Sequence, residues 1–436
     1  MRAHPVFIER LLQDLRVIGY SSGVAQGRTL PVGRGQVAAI FLLTAWLVFF
    51  LWPTAGAFAG THGLKYAALA ALLALGYLAA DGFPTRLFPI SWLVWALITG
   101  VMSSFSYTVF MHELSFGDGT YVARPFFFAF TLGLAYVVGG WASSPATLTE
   151  ALRPLVIAML LLQTGVAITQ TLGLGVLDAI YSADKVSPFG GALRISGTIG
   201  NPNLFAYHIL LGITFLAGHS SSNRGAFSWL LFGLLLVLFS GSRTVLLLFA
   251  PAAIVIIRIR SRDSFMALLK LSIPVLAILV LGGYLVFMIY AEYFPYIGQL
   301  VSLFGAGEIL GFRAFALRVA HWGSVWSDIS SANIGQWFFG RFDGTRFKGA
   351  IDNDLLFILW RQGLIGLLST FAWYVLAIAT IHNIRCMVTR KILYLWLVLI
   401  VFFSIMFESI AGWWIPFVIM MVMGIYLGAS ERSLKS

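Results

Sequence analysis

The chain has 436 residues, 59% of them hydrophobic and about a tenth charged. Apolar stretches of membrane-spanning length recur along it without the alternation of β-barrel strands, which predicts an all-α polytopic membrane helix bundle rather than a soluble fold. The net charge of +11 is no nucleic-acid footprint, because the basic residues are spread over short connections where the positive-inside rule accounts for many of them.

The first segment, 1–36, is mixed in character and carries Arg2, Arg10, Arg16, Arg28 and Arg34. It reads as a cytoplasmic lead-in and shows no cleavable signal. About twelve spans are then expected, at 37–53, 63–80, 88–105, 124–141, 154–174, 201–218, 226–240, 243–257, 271–290, 354–379, 392–408 and 411–429. The first nine occupy 37–290, the last three 354–430, and a tail of 431–436 ends the chain. A large external loop, 291–353, separates the two groups. With a cytoplasmic N-terminus, this count puts the basic runs at 258–263 and 382–391 and the tail on the cytoplasmic side. Cys386 is the lone cysteine, which excludes an internal disulfide and offers no metal cluster. No internal repeat is evident, and the bundle reads as one membrane domain.

The stretch 226–257 needs separate treatment. As one helix it would be about 48 Å long, well beyond a hydrocarbon core of roughly 30 Å. Two crossings broken at Ser240-Gly241-Ser242-Arg243 avoid that length and keep the later basic runs inside. Each half is then only about 15 residues, or about 22 Å, so the turn is expected to lie recessed. An Arg243 placed there is costly unless paired or hydrated. The blander reading is an interfacial arginine that snorkels to water.

Two external loops stand out. The loop 175–200 ends in RISGTIG, followed by NPN. The large loop contains 308–328, where Phe312, Phe315, Val319, Trp322 and Trp326 recur at three- and four-residue spacing. Arg313, Arg318 and His321 are interspersed among them. This predicts an amphipathic helix lying on the membrane or capping a cavity.

The chemistry-bearing residues sit at span edges. Arg194 precedes Gly197 and Gly200, and Asn201 and Asn203 flank Pro202 at a helix start. Open amides beside a guanidinium would bind phosphate; an ordinary capped junction with a solvated arginine fits equally well. Arg318 and Trp322 are four apart and share a face, and His321 is either a base or an interfacial side chain. Asp352, Asn353 and Asp354 precede a long apolar helix. N-capping explains one of them, and a carboxylate facing an acceptor hydroxyl would be a general base. Arg361 is seven residues further on, about 10 Å deeper on nearly the same face, placed to donate to a lipid phosphate or to balance the Asp pair. Weaker candidates are His112, Glu113, Asp118, Glu408 and the intramembrane His208. HExxH, P-loop and Rossmann signatures are missing, so metal hydrolysis and nucleotide-driven transport have no local support.

Four pieces in order carry a resemblance: Arg194 through Asn203, Gly241-Ser242-Arg243-Thr244, Arg318 to Trp322 followed by the Trp337 run WFFGRFDG, and Asp352 to Gly366. Together they resemble the O-antigen polymerase and O-antigen ligase superfamily of bacterial envelope proteins, over roughly 190–370. The resemblance implies about twelve transmembrane helices with one large periplasmic loop containing an amphipathic helix. It implies transfer of a glycan from undecaprenyl diphosphate to an acceptor hydroxyl at the periplasmic face of the inner membrane. It implies no metal, nucleotide sugar or other cofactor.

Under that resemblance, Arg194, Arg243 and Arg318 match the family's basic positions and would hold the departing diphosphate. Ser242, Asn201, Asn203, Arg313, His321, Asn353 and Arg361 would line the substrate, and Asp352 or Asp354 would orient or deprotonate the acceptor. Ligases typically carry His-Asn at the start of the helix after the large loop. Here Asp352 stands at the His position and Asn353 at the Asn, which turns the expectation toward the polymerase branch. The partners would be the lipid-linked donor and acceptor glycans, membrane lipids and a candidate chain-length regulator. Rival readings are a ligase and a lipid-linked oligosaccharide transporter, the latter disfavoured by the missing pseudo-repeat. A polyprenyl-dependent glycosyltransferase with an acidic first loop is disfavoured too, because 53–61 carries no carboxylate.

Overall fold

The computed structural model describes residues 32–55, 62–79, 90–110, 116–142, 144–172, 177, 179–181, 195–260, 312–340, 353–406 and 414–432. Their regular structure is all helical: α1 Val32–Leu51, α2 His62–Ala79, α3 Ile90–Phe110, α4 Phe116–Trp141, α5 Pro145–Leu172, α6 Pro202–Gly218, α7 Asn223–Ser240, α8 Arg243–Arg260, α9 Phe312–Ser330, α10 Ile334–Phe339, α11 Asp354–His382, α12 Met387–Met406 and α13 Trp414–Arg432. A short 3-10 turn, Gly197–Ile199, precedes α6.

The expected count of about twelve membrane spans is corrected. Among the described residues, six helical stretches are long and apolar enough to cross: Ala123–Trp141, Pro145–Gln170, Asn223–Ser240, Asp354–His382, Met387–Ile405 and Ile415–Arg432. The chain is therefore a multi-pass membrane protein, with six such helices among the described residues. Apolarity along a sequence marks burial, whether in lipid or in protein, and does not fix helix length. The stretches Val37–Leu51, Leu64–Ala79, Ile90–Ser103 and Pro202–Gly218 are apolar over 17 described residues or fewer, the first three lying within helices of 20, 18 and 21 residues. In α8 the apolar stretch 244–257 is closed in by Arg243 and Arg258, which leaves only about 21 Å. The expected span at 271–290 lies outside the described residues.

The chain packs as two compact units. The first comprises Met1–Trp52, Gly60–Ala158 and Ser327–Ser436, and the second Pro53–Ala59 and Met159–Trp326.

The first unit is built around α13, whose membrane stretch is 89% buried against 28% for those of α5 and α11. This helix runs parallel to α4. At one end Phe127 stacks on Phe417 with centroids 5.5 Å apart. At the other the Tyr136 hydroxyl donates to Glu431 at 2.5 Å, and Arg432 donates to the carbonyls of Gly140 and Trp141. Gly424 and Gly428 make this approach possible. A Cβ at Gly428 would run into the Tyr136 carbonyl, and one at Gly139 into that of Ile425. This is small-residue helix packing, which brings backbones together where lipid supplies no hydrophobic drive.

Around that pair, α1 and α2 form an antiparallel hairpin. Phe41 lies against Gly76, while the Lys65 ammonium sits 4.5 Å above the Phe49 ring and is only 2% exposed. The pairing of α3 with α11 is antiparallel and polar. Trp92 donates to Thr380 at 2.9 Å, Trp95 to the Ser369 carbonyl at 2.9 Å, and Thr99 pairs with Ser369 at 2.5 Å. Buried hydroxyls and indoles bonded between helices satisfy groups that lipid would leave unpaired.

The second unit centres on α6, whose faces are almost entirely buried. It packs with α7 and α8, and a Cβ at Gly233 of α7 would press into Ile213 of α6. Each of α7 and α8 is 18 residues long, about 27 Å. Both are longer than the 15 expected, because Asn223 to Gly225 and Arg258 to Arg260 extend them. Arg260 closes the far end by donating to the Ser220 carbonyl and to Asn223 Oδ1.

Candidate functional site

Three helix starts carry most of the candidate residues. The first is the junction before α6. The residue Gly197 has φ +55° and Gly200 φ +73°, conformations that favour glycine. At Gly197 space forbids a side chain too, since an added Cβ would meet Gln163 and Phe205. The turn is clamped by two buried glutamines of α5, seven residues apart and so on one face. Gln163 accepts from the Thr198 amide at 3.0 Å and donates to the Thr198 hydroxyl at 2.5 Å. Gln170 accepts from the Ser196 and Gly197 amides, each at 3.0 Å, and donates to the Gly197 carbonyl at 3.1 Å.

Asn201 caps α6, its side-chain oxygen accepting from the amides of Asn203 and Leu204 at 3.0 and 3.3 Å. Pro202 brings no amide, and that of Phe205 bonds the Asn201 carbonyl. The first-turn amides are thus taken up internally, as in the capped-junction reading. Any anion held here would be held by side chains.

The second start is the turn between α7 and α8. Gly241 ends α7 at φ +63°, the left-handed cap that glycine adopts without penalty. Ser240 and Ser242 are buried. The Ser240 hydroxyl accepts from the Ser242 amide at 3.1 Å, and the Ser242 hydroxyl accepts from the Val245 amide at 3.5 Å. Ser242 therefore serves as the N-cap of α8, and Arg243 opens that helix. Since α6 and α8 both begin where α7 ends, Asn201, Asn203, Ser242 and the Arg243 backbone share one end of the second unit.

The third start belongs to the first unit. Asn353 caps α11, accepting from the Leu356 amide at 3.0 Å. Asp354 follows with no exposed surface, and a carboxylate in the first turn is stabilised by the helix dipole. The expected long helix is broken at Gly363, with φ +65° and ψ −164°, a region essentially reserved for glycine. Helix α10 docks on this break so closely that a Cβ at Gly363 would meet the Phe338 carbonyl and one at Gly340 the Arg361 carbonyl. Asp354 and Arg361 thus share a short first stretch, 354–362, and the Arg361 guanidinium lies 5.7 Å from the Phe357 ring.

Arg318, His321 and Trp322 lie on α9 in the second unit, half-buried, with His321 Nε2 enclosed. His208 is half-buried within α6. Arg194, Asp352, His112, Glu113 and Glu408 lie outside the described residues, and for Arg243, Arg313 and Asp118 only the backbone is described. Among the described residues, no three of His, Cys, Asp and Glu gather as metal ligands would. Gln163 and Gln170, buried polar residues of a membrane-spanning helix, were not singled out from the sequence, nor was the buried Lys65. Two glutamines seven apart in an otherwise apolar span were the signal available. No family model matches this chain, and no curated protein matches it.

Proposed function

We propose that the protein polymerises glycan repeat units carried on undecaprenyl diphosphate, at the periplasmic face of a bacterial inner membrane, with both termini cytoplasmic. The observation that supports this most is the buried Asp354 at the capped start of a broken membrane helix. Ionisable groups kept in a membrane bundle are expensive and generally functional. In the proposed reaction an acceptor sugar hydroxyl attacks the donor's anomeric carbon. The proton passes to the carboxylate of Asp354 or Asp352. The bond to the diphosphate breaks, and undecaprenyl diphosphate leaves with the electron pair. Arg194, Arg243 and Arg318 stabilise that departing charge, and a chain-length regulator is a candidate partner.

The test is polymer formation at matched expression. Arg243→Ala should abolish it, with Arg243→Lys partly restoring it, and an Asp352→Ala/Asp354→Ala double variant should form none. Full activity of Arg243→Ala removes that arginine from diphosphate binding, and normal polymer in the double variant removes the carboxylates. Loss of the protein should leave a single lipid-linked repeat unit. Accumulation of full-length lipid-linked polymer would instead establish the ligase reading.

A further inference from the structure

Helix α11 has 29 residues and would run about 44 Å if straight, whereas a hydrocarbon core is roughly 30 Å thick. The break at Gly363 divides that length. The stretch after it, 364–382, is about 28 Å long and ends at the basic connection that carries Arg385. Leu368, Phe371, Val375 and Ile378 recur along it at three- and four-residue spacing, each between 49% and 67% exposed. Such an apolar stripe on the outside of a membrane-spanning helix is the face that lipid covers. With this stretch filling the hydrocarbon, Gly363 stands at the edge of the bilayer.

Helix α10 is pinned to the same level. The Phe338 carbonyl lies where a Cβ of Gly363 would be, and Gly340 lies against the Arg361 carbonyl. The helix also touches α3, whose outward residues Leu97 and Val101 are 56% and 55% exposed. Its six residues span about 9 Å, so no part of it is far from the boundary. Six residues are too few for a helix to persist by itself in water. The capping box between Asn333 and Gln336 holds one end and the α11 break the other, so the outward face is formed in advance.

That face is apolar. Ile334 is 78% exposed and Phe338 46% exposed, and residues four apart lie on one side of a helix. The neighbouring Trp337 is half-buried, and its indole is of the kind enriched at membrane–water interfaces. Ser330, Ser331 and Asn333, which lead into α10, are polar and exposed. Single exposed apolar side chains are ordinary on a surface in water. Here two share a face at the level where the lipid-covered stripe of α11 ends. A protein partner needs about 800 Å² on each side, far more than the outward side chains of a six-residue helix supply.

We propose that α10 is a membrane-interface anchor. Ile334 and Phe338 enter the acyl boundary of the bilayer on the side where α11 begins, and lipid covers them. The anchor fixes the depth of the α11 break. It requires no glycan chemistry, so it stands or falls apart from the polymerase reading.

The test is power-saturation electron paramagnetic resonance on the full chain in phosphatidylcholine nanodiscs, with single nitroxide labels in a Cys386→Ser background. Labels are placed through Ile334→Cys and Phe338→Cys, with Ser331→Cys as the aqueous reference and Phe371→Cys as the hydrocarbon reference. All four positions are exposed, so the labels leave the packing in place. Collisions with oxygen report lipid, and collisions with a water-soluble nickel chelate report water. The labels at 334 and 338 should read depths of about 5–10 Å into the headgroup and acyl boundary, between the two references. Nickel collisions at 334 and 338 equal to those at 331 would put the face in water and overturn the proposal. Labels shielded from both oxygen and nickel would mean that protein covers the face, and would overturn it equally.

Discussion

Gln163 and Gln170 show how much of the second unit depends on single polar side chains. Irregular backbone at membrane depth is tolerated only when its amides and carbonyls find protein partners, and these two side chains supply them for 196–198. Gln170→Leu removes its bonds to three backbone groups, the amides of Ser196 and Gly197 and the Gly197 carbonyl, whereas Gln163→Leu removes its bonds to the Thr198 amide and hydroxyl. At about 1–3 kcal/mol for each buried unsatisfied group, Gln170→Leu should be the more destabilising in denaturant unfolding of the purified protein. Equal, wild-type midpoints for both would mean that the turn is held by something else. Asn201, Ser242 and Asn353 were legible as polar residues at helix starts. Their capping hydrogen bonds give each a structural task. The partners of the Asn201 cap are fixed by local spacing, while those of the glutamines are more than twenty residues away and invisible to it.

At the scale of elements, the break in α11 is the feature the sequence conceals. The run from Asp354 to His382 reads as one apolar helix, and Gly363 looks like a tolerated glycine. What bends the chain is the pressure of α10 on the backbone at that point, together with the freedom of glycine to accept it. The break leaves residues 364–382, about 28 Å of helix, so the remaining stretch still approaches bilayer thickness. Gly363→Ala meets both the forbidden dihedrals and the Phe338 carbonyl. It should cost at least about 1–3 kcal/mol and displace α10, read as new protease cleavage between α9 and α11. Unchanged cleavage and stability would show that the break relaxes without glycine. The turn between α7 and α8, in contrast, was legible in advance, because Ser-Gly-Ser-Arg is a strong local signal and one unbroken helix would have been too long.

For the whole molecule, the parallel pairing of α4 and α13 sets the frame of the first unit, and it brings together segments some 290 residues apart. Gly424 and Gly428 hint at such a contact but do not name the partner. The proposed orientation, with the basic connections on the cytoplasmic side, can be read chemically. Cys386, half-buried in the connection between α11 and α12, should react with a membrane-impermeant maleimide in inverted vesicles and not in intact cells. In a Cys386→Ser background, the exposed Ser331 replaced by cysteine should react in intact cells. Labelling of Ser331→Cys only in inverted vesicles would reverse the proposed topology.

By itself the sequence determined that this is an all-helical, multi-pass membrane protein, where several of its helices start, and which charged residues stand out against the apolar chain. Those conclusions rest on composition, capping residues and spacing, all of which act within a few turns. Tertiary structure alone decided that the chain forms two units, that glutamines of α5 satisfy the turn before α6, and that Gly363 breaks α11. Each of these depends on which distant backbone approaches which, a contact that local patterning does not encode.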